Sequence, residues 1–264
     1  MNTVTSQDGT TIAYDTIGSG PSLILVGGAF QVRRDPRFAD LAAALAAHFT
    51  VLTYDRRGRG DSGDTGPYAP AREVEDIVAL IKEAGGRAHL FGMSSGAALA
   101  LDAAAAETAV TKVAVYEAPF VVDDSRPPVP AGYLAELKSL LADGRTGDAA
   151  ALFLTTAAGV PAEFVEGMRS APFWADMEAV AHTLAYDGEV MGDTMSGRPL
   201  PGGRWADVTA PVLVIDGGAS GPWMSGAANA LAAVLPGASR ATLDGQDHDV
   251  SPAALAPVLQ RFYI

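Results

Sequence analysis

Apolar and polar residues follow two patterns along this chain, one typical of buried strands and one of amphipathic helices. Ser22–Val26 is a short apolar run that ends in two glycines, as expected for a strand buried on both faces of a sheet. Ala71–Ala84 instead carries apolar residues at helical spacing and ends at a glycine pair, as a helix C-terminus often does. Because strands and helices alternate in this way, the sequence predicts an α/β fold with a mostly parallel central sheet and flanking helices.

The same patterns predict the other elements of the sheet layer. An Asp-Gly turn at residues 8–9 predicts an N-terminal antiparallel hairpin. Further strands are expected at Thr50–Tyr54, Ala88–Phe91, Lys112–Tyr116, Val212–Ile215 and Ser239–Leu243. Helices are expected at Phe38–His48, Ala97–Glu107, Met224–Leu235 and Ser251–Tyr263.

A long stretch without a convincing strand separates the two parts of the predicted sheet. Helical segments divided by Pro and Gly are expected there, at Tyr133–Ala142, Asp148–Ala158, Pro161–Ser170 and Phe173–Leu184. We therefore expect a helical cap, or lid, over residues 119–206. It is inserted into a core formed by residues 1–118 and 207–264.

Composition narrows the classes of function. The chain has 18 basic and 31 acidic residues, a formal net charge of −13, so nucleic acid and anionic membranes are not expected partners. It has no cysteine and only four scattered histidines, and no G-x-G-x-x-G pattern follows the Ser22–Val26 strand, so neither a metal nor another cofactor is expected. Without a signal-peptide pattern or an apolar run long enough to span a bilayer, the sequence predicts a cytoplasmic protein.

The sequence Gly-Met-Ser-Ser-Gly at residues 92–96 is the main chemical signal. It fits G-x-S-x-G and lies between a predicted strand and an alanine-rich helix. This pattern is typical of a sharp strand-to-helix turn that exposes a nucleophilic serine above the sheet, here Ser94. The turn is tight, which explains the glycines on either side.

A serine nucleophile needs a base and an oxyanion hole. His248 lies directly after the last predicted strand and before the last helix, the position expected for the base. The backbone N–H of Ser95, which follows the nucleophile, is expected to be one oxyanion donor. The other is expected from the loop after Ser22–Val26, with Gly28 favoured and Ala29 as the alternative.

Four features together resemble the α/β-hydrolase superfamily. They are the G-x-S-x-G turn, the strand ending in Gly27-Gly28, the segment Tyr54–Ser62 (Tyr-Asp-Arg-Arg-Gly-Arg-Gly-Asp-Ser) and the late His248. The resemblance covers essentially the whole chain and implies the α/β-hydrolase fold, with the insertion placed where such enzymes carry a lid. It is specific for the fold but not for the substrate.

The carboxylate that would orient His248 departs from the usual pattern. Where the superfamily usually has an Asp, after the strand Val212–Ile215, this chain has Ser220. Glu117 follows the strand after the nucleophile helix, a position that resembles the acid of zearalenone-lactonase-like members. A carboxylate there could accept the Nδ1–H of the histidine and stabilise its charged form. Glu117 is therefore the favoured acid, and Asp216 is the alternative.

The sequence thus predicts a serine hydrolase that cleaves an ester or lactone of a small to medium apolar molecule through an acyl-enzyme. Alternatives on the same fold are a carbon–carbon bond hydrolase, a biosynthetic enzyme for acyl transfer or cyclisation, and a non-catalytic ligand-binding module. A second copy of the chain, in a homodimer, is a further candidate partner. The candidate pocket residues are four aromatic side chains and one histidine of the cap: Phe30, Phe120, Trp174, Trp223 and His182.

Overall fold

A computed structural model describes all 264 residues of the chain. Its centre is one eight-stranded sheet, ordered β1-β2-β4-β3-β5-β6-β7-β8. β1 pairs antiparallel with β2 and β2 antiparallel with β4, while all other neighbouring strands are parallel. The strands are β1 (Asn2–Thr5), β2 (Thr11–Gly18), β3 (Ser22–Val26), β4 (Thr50–Tyr54), β5 (Ala88–Met93), β6 (Val110–Tyr116), β7 (Val212–Gly217) and β8 (Ser239–Leu243). This mostly parallel sheet confirms the predicted α/β fold.

Five helices cover the two faces of the sheet. They are α1 (Pro36–Leu45), α2 (Pro70–Glu83), α3 (Ser95–Ala106), α9 (Pro222–Val234) and α10 (Pro252–Tyr263). α1 and α10 contribute to the apolar core on one face, and α2, α3 and α9 to the core on the other. None of the helices combines the length and the apolar character that crossing a bilayer would require.

The remaining helices all lie between β6 and β7. They are α4 (Tyr133–Ala142), α5 (Thr146–Leu152), α6 (Ala162–Met168), α7 (Trp174–Val180) and α8 (Leu184–Met191). A π-helical turn at Phe153–Ala157 extends α5, and a 3-10 turn at Ala181–Thr183 leads into α8. These helices share a third apolar cluster, and we call them the cap.

Helix α8 is absent from the sequence-based expectation, which ended the last cap helix at Leu184. Asp187 and Gly188 lie in its middle, and both residue types favour a helix weakly. The helix forms because its apolar side chains are buried, as Val190 and Met191 show. Tertiary packing therefore overrides the local propensity at this point.

Strand β3 shows why this sheet is buried on both faces. Leu23 and Leu25 point into the core formed with α1 and α10, whereas Ile24 and Val26 point into the core formed with α2 and α3. All four side chains have no exposed surface. Burial of each contributes roughly 1.5–3 kcal/mol, so the continuous apolar run is the expected signature of this position.

The turn from β5 into α3 is packed backbone against backbone. A Cβ atom on Gly96 would lie 2.4 Å from the carbonyl oxygen of Val26 and 2.6 Å from that of Gly27. A Cβ atom on Gly92 would lie 2.4 Å from the carbonyl oxygen of Gly96. Both glycines of the G-x-S-x-G sequence are therefore needed for close approach, and they hold Ser94 next to the end of β3.

Replacing Gly96 with alanine should lower the free energy of unfolding by more than about 2 kcal/mol, because backbone rather than a flexible side chain would have to move. Urea denaturation followed by tryptophan fluorescence measures this change. The matched control is Gly167→Ala in α6, where the new methyl group meets nothing within 4 Å. That variant should be unchanged or gain up to about 1 kcal/mol. Equal stability of the two variants would contradict the packing described here.

Candidate active site

Backbone strain marks one cavity. Only three residues other than glycine have a positive φ angle: Phe30 at 63°, Ser94 at 56° and Glu117 at 46°. All three line the same cavity, which has a volume of about 580 Å³. Strained residues of this kind persist where the surrounding structure holds them and cluster at functional sites. The cavity is therefore the candidate active site.

Ser94 lies at the carboxyl end of β5, where the chain turns into α3. Its N–H donates to the carbonyl of Tyr116 on the neighbouring strand β6, at 3.0 Å. A Cβ atom on Gly28 would lie 2.8 Å from the Ser94 Cβ and 3.4 Å from its Oγ. The serine side chain therefore lies directly against the loop that follows β3, which carries the expected oxyanion donors.

Glu117 and His248 form a hydrogen-bonded pair at the edge of the same cavity. The distance between Nδ1 of His248 and Oε2 of Glu117 is 2.9 Å. The other carboxylate oxygen of Glu117, Oε1, accepts from the N–H of Gly217 at 2.9 Å and from the hydroxyl of Ser220 at 2.5 Å. Since a carboxylate only accepts, Nδ1 of His248 carries the proton and Nε2 is left to accept one.

The loop that carries His248 is held by the strand that carries Glu117. The hydroxyl of Tyr116, the last residue of β6, donates to the carbonyl of Asp247. The end of β6 therefore positions both residues of the pair. Glu117 follows Tyr116 directly in the chain, and His248 follows Asp247, which Tyr116 holds. Glu117 is buried, whereas the His248 side chain is half exposed toward the cavity.

Asp216, the alternative acid, forms no hydrogen bond or ion pair with His248. Its side chain turns toward the adjacent strand β8, where Oδ1 accepts from the hydroxyl of Thr242 at 2.9 Å and pairs with Arg240. Ser220, at the position where the superfamily usually has its acid, donates to Glu117 instead. The structure therefore brings Glu117 and not Asp216 to the histidine.

The candidate oxyanion donors differ from the expectation in one respect. The N–H of Gly28, the favoured donor, already donates to Oε1 of Gln31 at 2.6 Å. The N–H of Ala29, the alternative, has no hydrogen-bond acceptor in the structure. Ser95 is the first residue of α3, so its N–H has no acceptor within the helix. The arrangement therefore favours Ala29 with Ser95 over Gly28 with Ser95.

Two buried arginines hold the loop that carries these donors. Nη1 of Arg59 donates at 2.5 Å to the carbonyl of Gly28, which belongs to the same peptide group as the N–H of Ala29. Nη1 of Arg56 donates at 3.3 Å to the carbonyl of Gly27. Each contact fixes a peptide plane next to Ser94. Each also polarises the N–H of the same peptide group, which belongs to Ala29 in the first case and to Gly28 in the second.

Asp187 of cap helix α8 binds both of these arginines. Its carboxylate accepts from Arg56 at 2.6 Å, from Arg59 at 2.7 Å and from the hydroxyl of Ser95 at 2.6 Å. Burial alone would raise the pKa of Asp187, but the two guanidinium groups hold that pKa below its ordinary value. Asp187 is therefore an ionised carboxylate that joins the cap to the nucleophile turn and to the loop after β3.

Two of the five predicted pocket residues line the cavity. Phe30 and Trp223 are in its wall. The ring of Phe30 packs edge to face against Phe153 of the cap, with 5.3 Å between the ring centroids. The sequence alone gave no reason to separate these two from the other aromatic residues.

The other three predicted pocket residues lie elsewhere, which corrects the expectation. Phe120 is fully buried and stacks on Trp205 in the core, with centroids 5.4 Å apart. Trp174 packs inside the cap, with its Nε1 donating to Glu178 at 3.0 Å. His182 lies outside the cavity, with Nε2 3.8 Å from Asp64. Each aromatic ring thus fills a core or a surface niche rather than the site.

Sequence reasoning missed three polar residues of the site: Gln31, Asp187 and Arg126. All three line the cavity. None belongs to a recognisable motif, and Asp187 lies in a helix that was itself not expected. The structure brings together no group of His, Asp and Glu side chains that could hold a metal ion.

A comparison with known families agrees with the fold. A sequence profile described as "Alpha/beta hydrolase family" matches residues 18–258. The chain belongs to the alpha/beta hydrolase family. A solved structure of an alpha/beta hydrolase from Sphaerobacter thermophilus DSM 20745 is 54% identical, covers 100% of both chains and superposes with a TM-score of 0.92.

Other similar proteins share less of the sequence. An uncharacterized hydrolase, YraK of Bacillus subtilis (strain 168), is 36% identical over 99 residues, and this stretch spans 36% of the present chain and 35% of that relative. Solved structures less than 25% identical include esterases and lactonases. The esterase RhEst1 from Rhodococcus sp. ECU1013 is an example, with 22% identity, 99% and 97% coverage of the two chains and a TM-score of 0.62. At that identity the likeness shows the fold alone.

Replacing Glu117 with glutamine should lower kcat on an activated ester by roughly three to four orders of magnitude, because an amide can hold His248 in the wrong tautomer and cannot stabilise its charged form. Replacing Asp216 with asparagine should change kcat only a few-fold. Steady-state kinetics on p-nitrophenyl butyrate measure both. A large loss in Asp216→Asn with a small one in Glu117→Gln would reverse the assignment of the acid.

Removing the charge of Asp187 should lower the stability of the protein. In Asp187→Asn, Arg59 loses its only carboxylate partner and Arg56 one of two, so the free energy of unfolding should fall by about 3–5 kcal/mol. The control is Asp148→Asn, which disturbs exposed pairs on the cap and should cost less than about 1 kcal/mol. Urea denaturation of both proteins provides the comparison, and similar losses would show that Asp187 has no special role.

Proposed function

We propose that this alpha/beta hydrolase is a serine hydrolase that cleaves an ester or lactone of a small to medium, largely apolar molecule. One observation carries the proposal. Ser94, on its strained turn, lines the same cavity as a histidine whose Nδ1 is hydrogen-bonded to a buried carboxylate. A nucleophile, a base and a group that orients the base are the parts that acyl transfer needs.

The first half of the reaction forms an acyl-enzyme. Nε2 of His248 takes the proton from Oγ of Ser94 as that oxygen attacks the carbonyl carbon of the substrate. The carbonyl oxygen becomes an oxyanion, for which the N–H groups of Ala29 and Ser95 are the candidate donors. A donor of this kind stabilises the transition state by about 3–4 kcal/mol. Collapse of the intermediate breaks the bond to the leaving alcohol, which takes the proton from His248.

The second half uses water. His248 removes a proton from a water molecule, the water oxygen attacks the acyl carbon, and the Ser94 oxygen leaves with the proton held by the histidine. Glu117 keeps its negative charge throughout and stabilises the charged imidazole in both halves. The products are a carboxylic acid and an alcohol, which form a single hydroxy acid when the substrate is a lactone.

The shape of the cavity supports a compact substrate. A volume of about 580 Å³ is within the range of small-molecule sites. Its wall combines apolar side chains from the core and from the cap, among them Met93, Leu154, Met191 and Met224. Methionine side chains adapt to irregular shapes, so this wall suits an apolar chain or ring. The esterases and lactonases of the same fold are consistent with this proposal.

A fluorophosphonate probe separates an enzyme from a non-catalytic binding module. The probe should label the wild-type protein on Ser94, because its phosphorus is attacked by an activated serine. Labelling should disappear in Ser94→Ala and persist in Ser95→Ala, which keeps the backbone N–H of residue 95. In-gel fluorescence and mass mapping of the labelled peptide provide the measurement.

An unlabelled wild-type protein, shown by circular dichroism to be folded, would refute the proposal and favour the binding module. A labelled protein that cleaves neither esters nor lactones would point to carbon–carbon bond cleavage or acyl transfer on the same serine. A panel of p-nitrophenyl esters and five- to seven-membered lactones distinguishes these outcomes.

A further inference from the structure

One cation in the wall of the active-site cavity has no carboxylate partner. Arg126 lies in the segment between β6 and α4 and lines the cavity together with Ser94 and His248. No Asp or Glu forms a salt bridge with it, not even Asp123 or Asp124 of the same segment, and no carboxylate influences its pKa. By contrast Arg37, the other arginine in the wall, pairs with Asp35 and Asp249.

Most of the hydrogen-bonding capacity of Arg126 is unused. Its Nη2 donates to the carbonyl of Ala157 at 3.0 Å, and this is its only hydrogen bond. A guanidinium group has five N–H donors in a planar fork, so four of them remain available. Burial lowers the pKa of Arg126, but an arginine keeps its charge in a protein. The side chain is therefore a half-buried cation with donors to spare.

The position of this guanidinium is fixed from two sides. It stacks over the ring of Trp223 in α9, with 4.6 Å between the guanidinium carbon and the ring centroid. Its Nη2 is also hydrogen-bonded to the carbonyl of Ala157, which belongs to the π-helical turn of the cap. Stacking on an aromatic face orients the plane of an arginine and leaves its edge free for a ligand.

Arg126 also borders a second cavity. This cavity has a volume of about 500 Å³ and shares Arg126, Ala158 and Trp223 with the first. The guanidinium group therefore lies where the cavity that holds Ser94 meets a second, outer space. A ligand that reaches from the serine toward this boundary passes the unpaired cation.

We infer that Arg126 binds a carboxylate carried by the substrate itself, remote from the carbonyl group that Ser94 attacks. This inference rests on the proposed function and narrows its substrate class to apolar esters or lactones that carry one free carboxylate, such as half-esters of dicarboxylic acids. The planar fork matches the two oxygens of a carboxylate. The apolar side chains that line the cavity suit the hydrocarbon chain that joins the two groups.

The acidic character of the protein does not oppose this inference. The net charge is −13, but exposed charges are screened beyond about 8 Å at physiological ionic strength. Four carboxylates lie in the cavity wall. Glu117 and Asp187 have side-chain partners, Asp249 pairs with Arg37, and Asp247 accepts from the backbone N–H of Asp249. Of the residues that line both cavities, only Arg126 is charged.

The test compares two substrates that differ only in one charge: mono-p-nitrophenyl adipate, with a free carboxylate, and its methyl ester, which is neutral. The wild-type enzyme should prefer the acid. Arg126→Gln should lower kcat/KM for the acid by about ten- to a hundredfold, mainly through KM, and should change the neutral ester less than about threefold. Arg126→Lys, which keeps the charge but not the fork, should recover part of the loss.

Arg87→Gln is the matched control, because it removes the same charge from an exposed loop far from the cavity. It should leave the preference for the acid unchanged. An equal loss on both substrates in Arg126→Gln, together with a lower free energy of unfolding, would assign Arg126 a structural role and overturn the inference. So would a wild-type enzyme that cleaves the neutral ester as well as the acid.

A binding measurement separates this inference from the proposed function. Isothermal titration of Ser94→Ala with monomethyl adipate and with dimethyl adipate does not depend on any reaction. Tighter binding of the monoacid, lost in the double variant with Arg126→Gln, supports the carboxylate site even if the reaction is not ester cleavage. If the wild-type enzyme hydrolyses both p-nitrophenyl esters but Ser94→Ala binds the monoacid and the diester equally, the proposed serine hydrolase activity is retained and the carboxylate site is refuted.

Discussion

A single buried carboxylate, Asp187, connects the cap to the segments that surround Ser94 in the candidate site. Its oxygens bind Arg56, Arg59 and the hydroxyl of Ser95. Arg59 in turn holds the peptide group between Gly28 and Ala29. A cap helix, the segment after β4, the loop after β3 and the start of α3 thus meet at one charged centre. Separating the cap helix from the segment after β4 would leave uncompensated charges in the interior.

This centre ties the cap to the core through buried ion pairs. A lid that swings on hinges is normally drawn from the least stable parts of a protein. Here such a movement would break two buried ion pairs and the contact between Phe30 and Phe153. Substrate exchange through the existing mouth of the cavity needs none of these changes.

The fold and the position of Ser94 in the candidate site could be predicted because each rests on a local rule. The apolar run of β3 reports burial on both faces, and the glycines beside Ser94 report backbone contact at the turn. Glu117 could be weighed against Asp216 because Ser220 occupies the usual position of the acid. These inferences need only a few neighbouring residues and the general order of strands in a parallel sheet.

The remaining parts of the site depend on contacts that no local pattern encodes. Asp187 and Gly188 weaken the local signal for helix α8, so the sequence gave no reason to expect Asp187 in the site. The choice between Gly28 and Ala29 depends on the side chain of Gln31, which occupies one of two adjacent N–H groups. Phe120 and Trp174 carry the same chemistry as Phe30 and Trp223, and only the tertiary packing decides which rings face the cavity.

The pairing of Met93 with Tyr116 has a consequence for how such a protein can change over time. Ser94 and Glu117 each directly follow one member of this pair, so one rung of the central sheet sets the spacing between them. The loop after β7 contributes a wall to the cavity through Ser220, Gly221 and Trp223, yet it carries no acid. A change at Ser220 would reach the pair of Glu117 and His248, because the Ser220 hydroxyl donates to Glu117, whereas Trp223 forms no hydrogen bond with that pair. Within this one loop, the wall of the cavity can therefore vary at one position while another position stays tied to the central sheet.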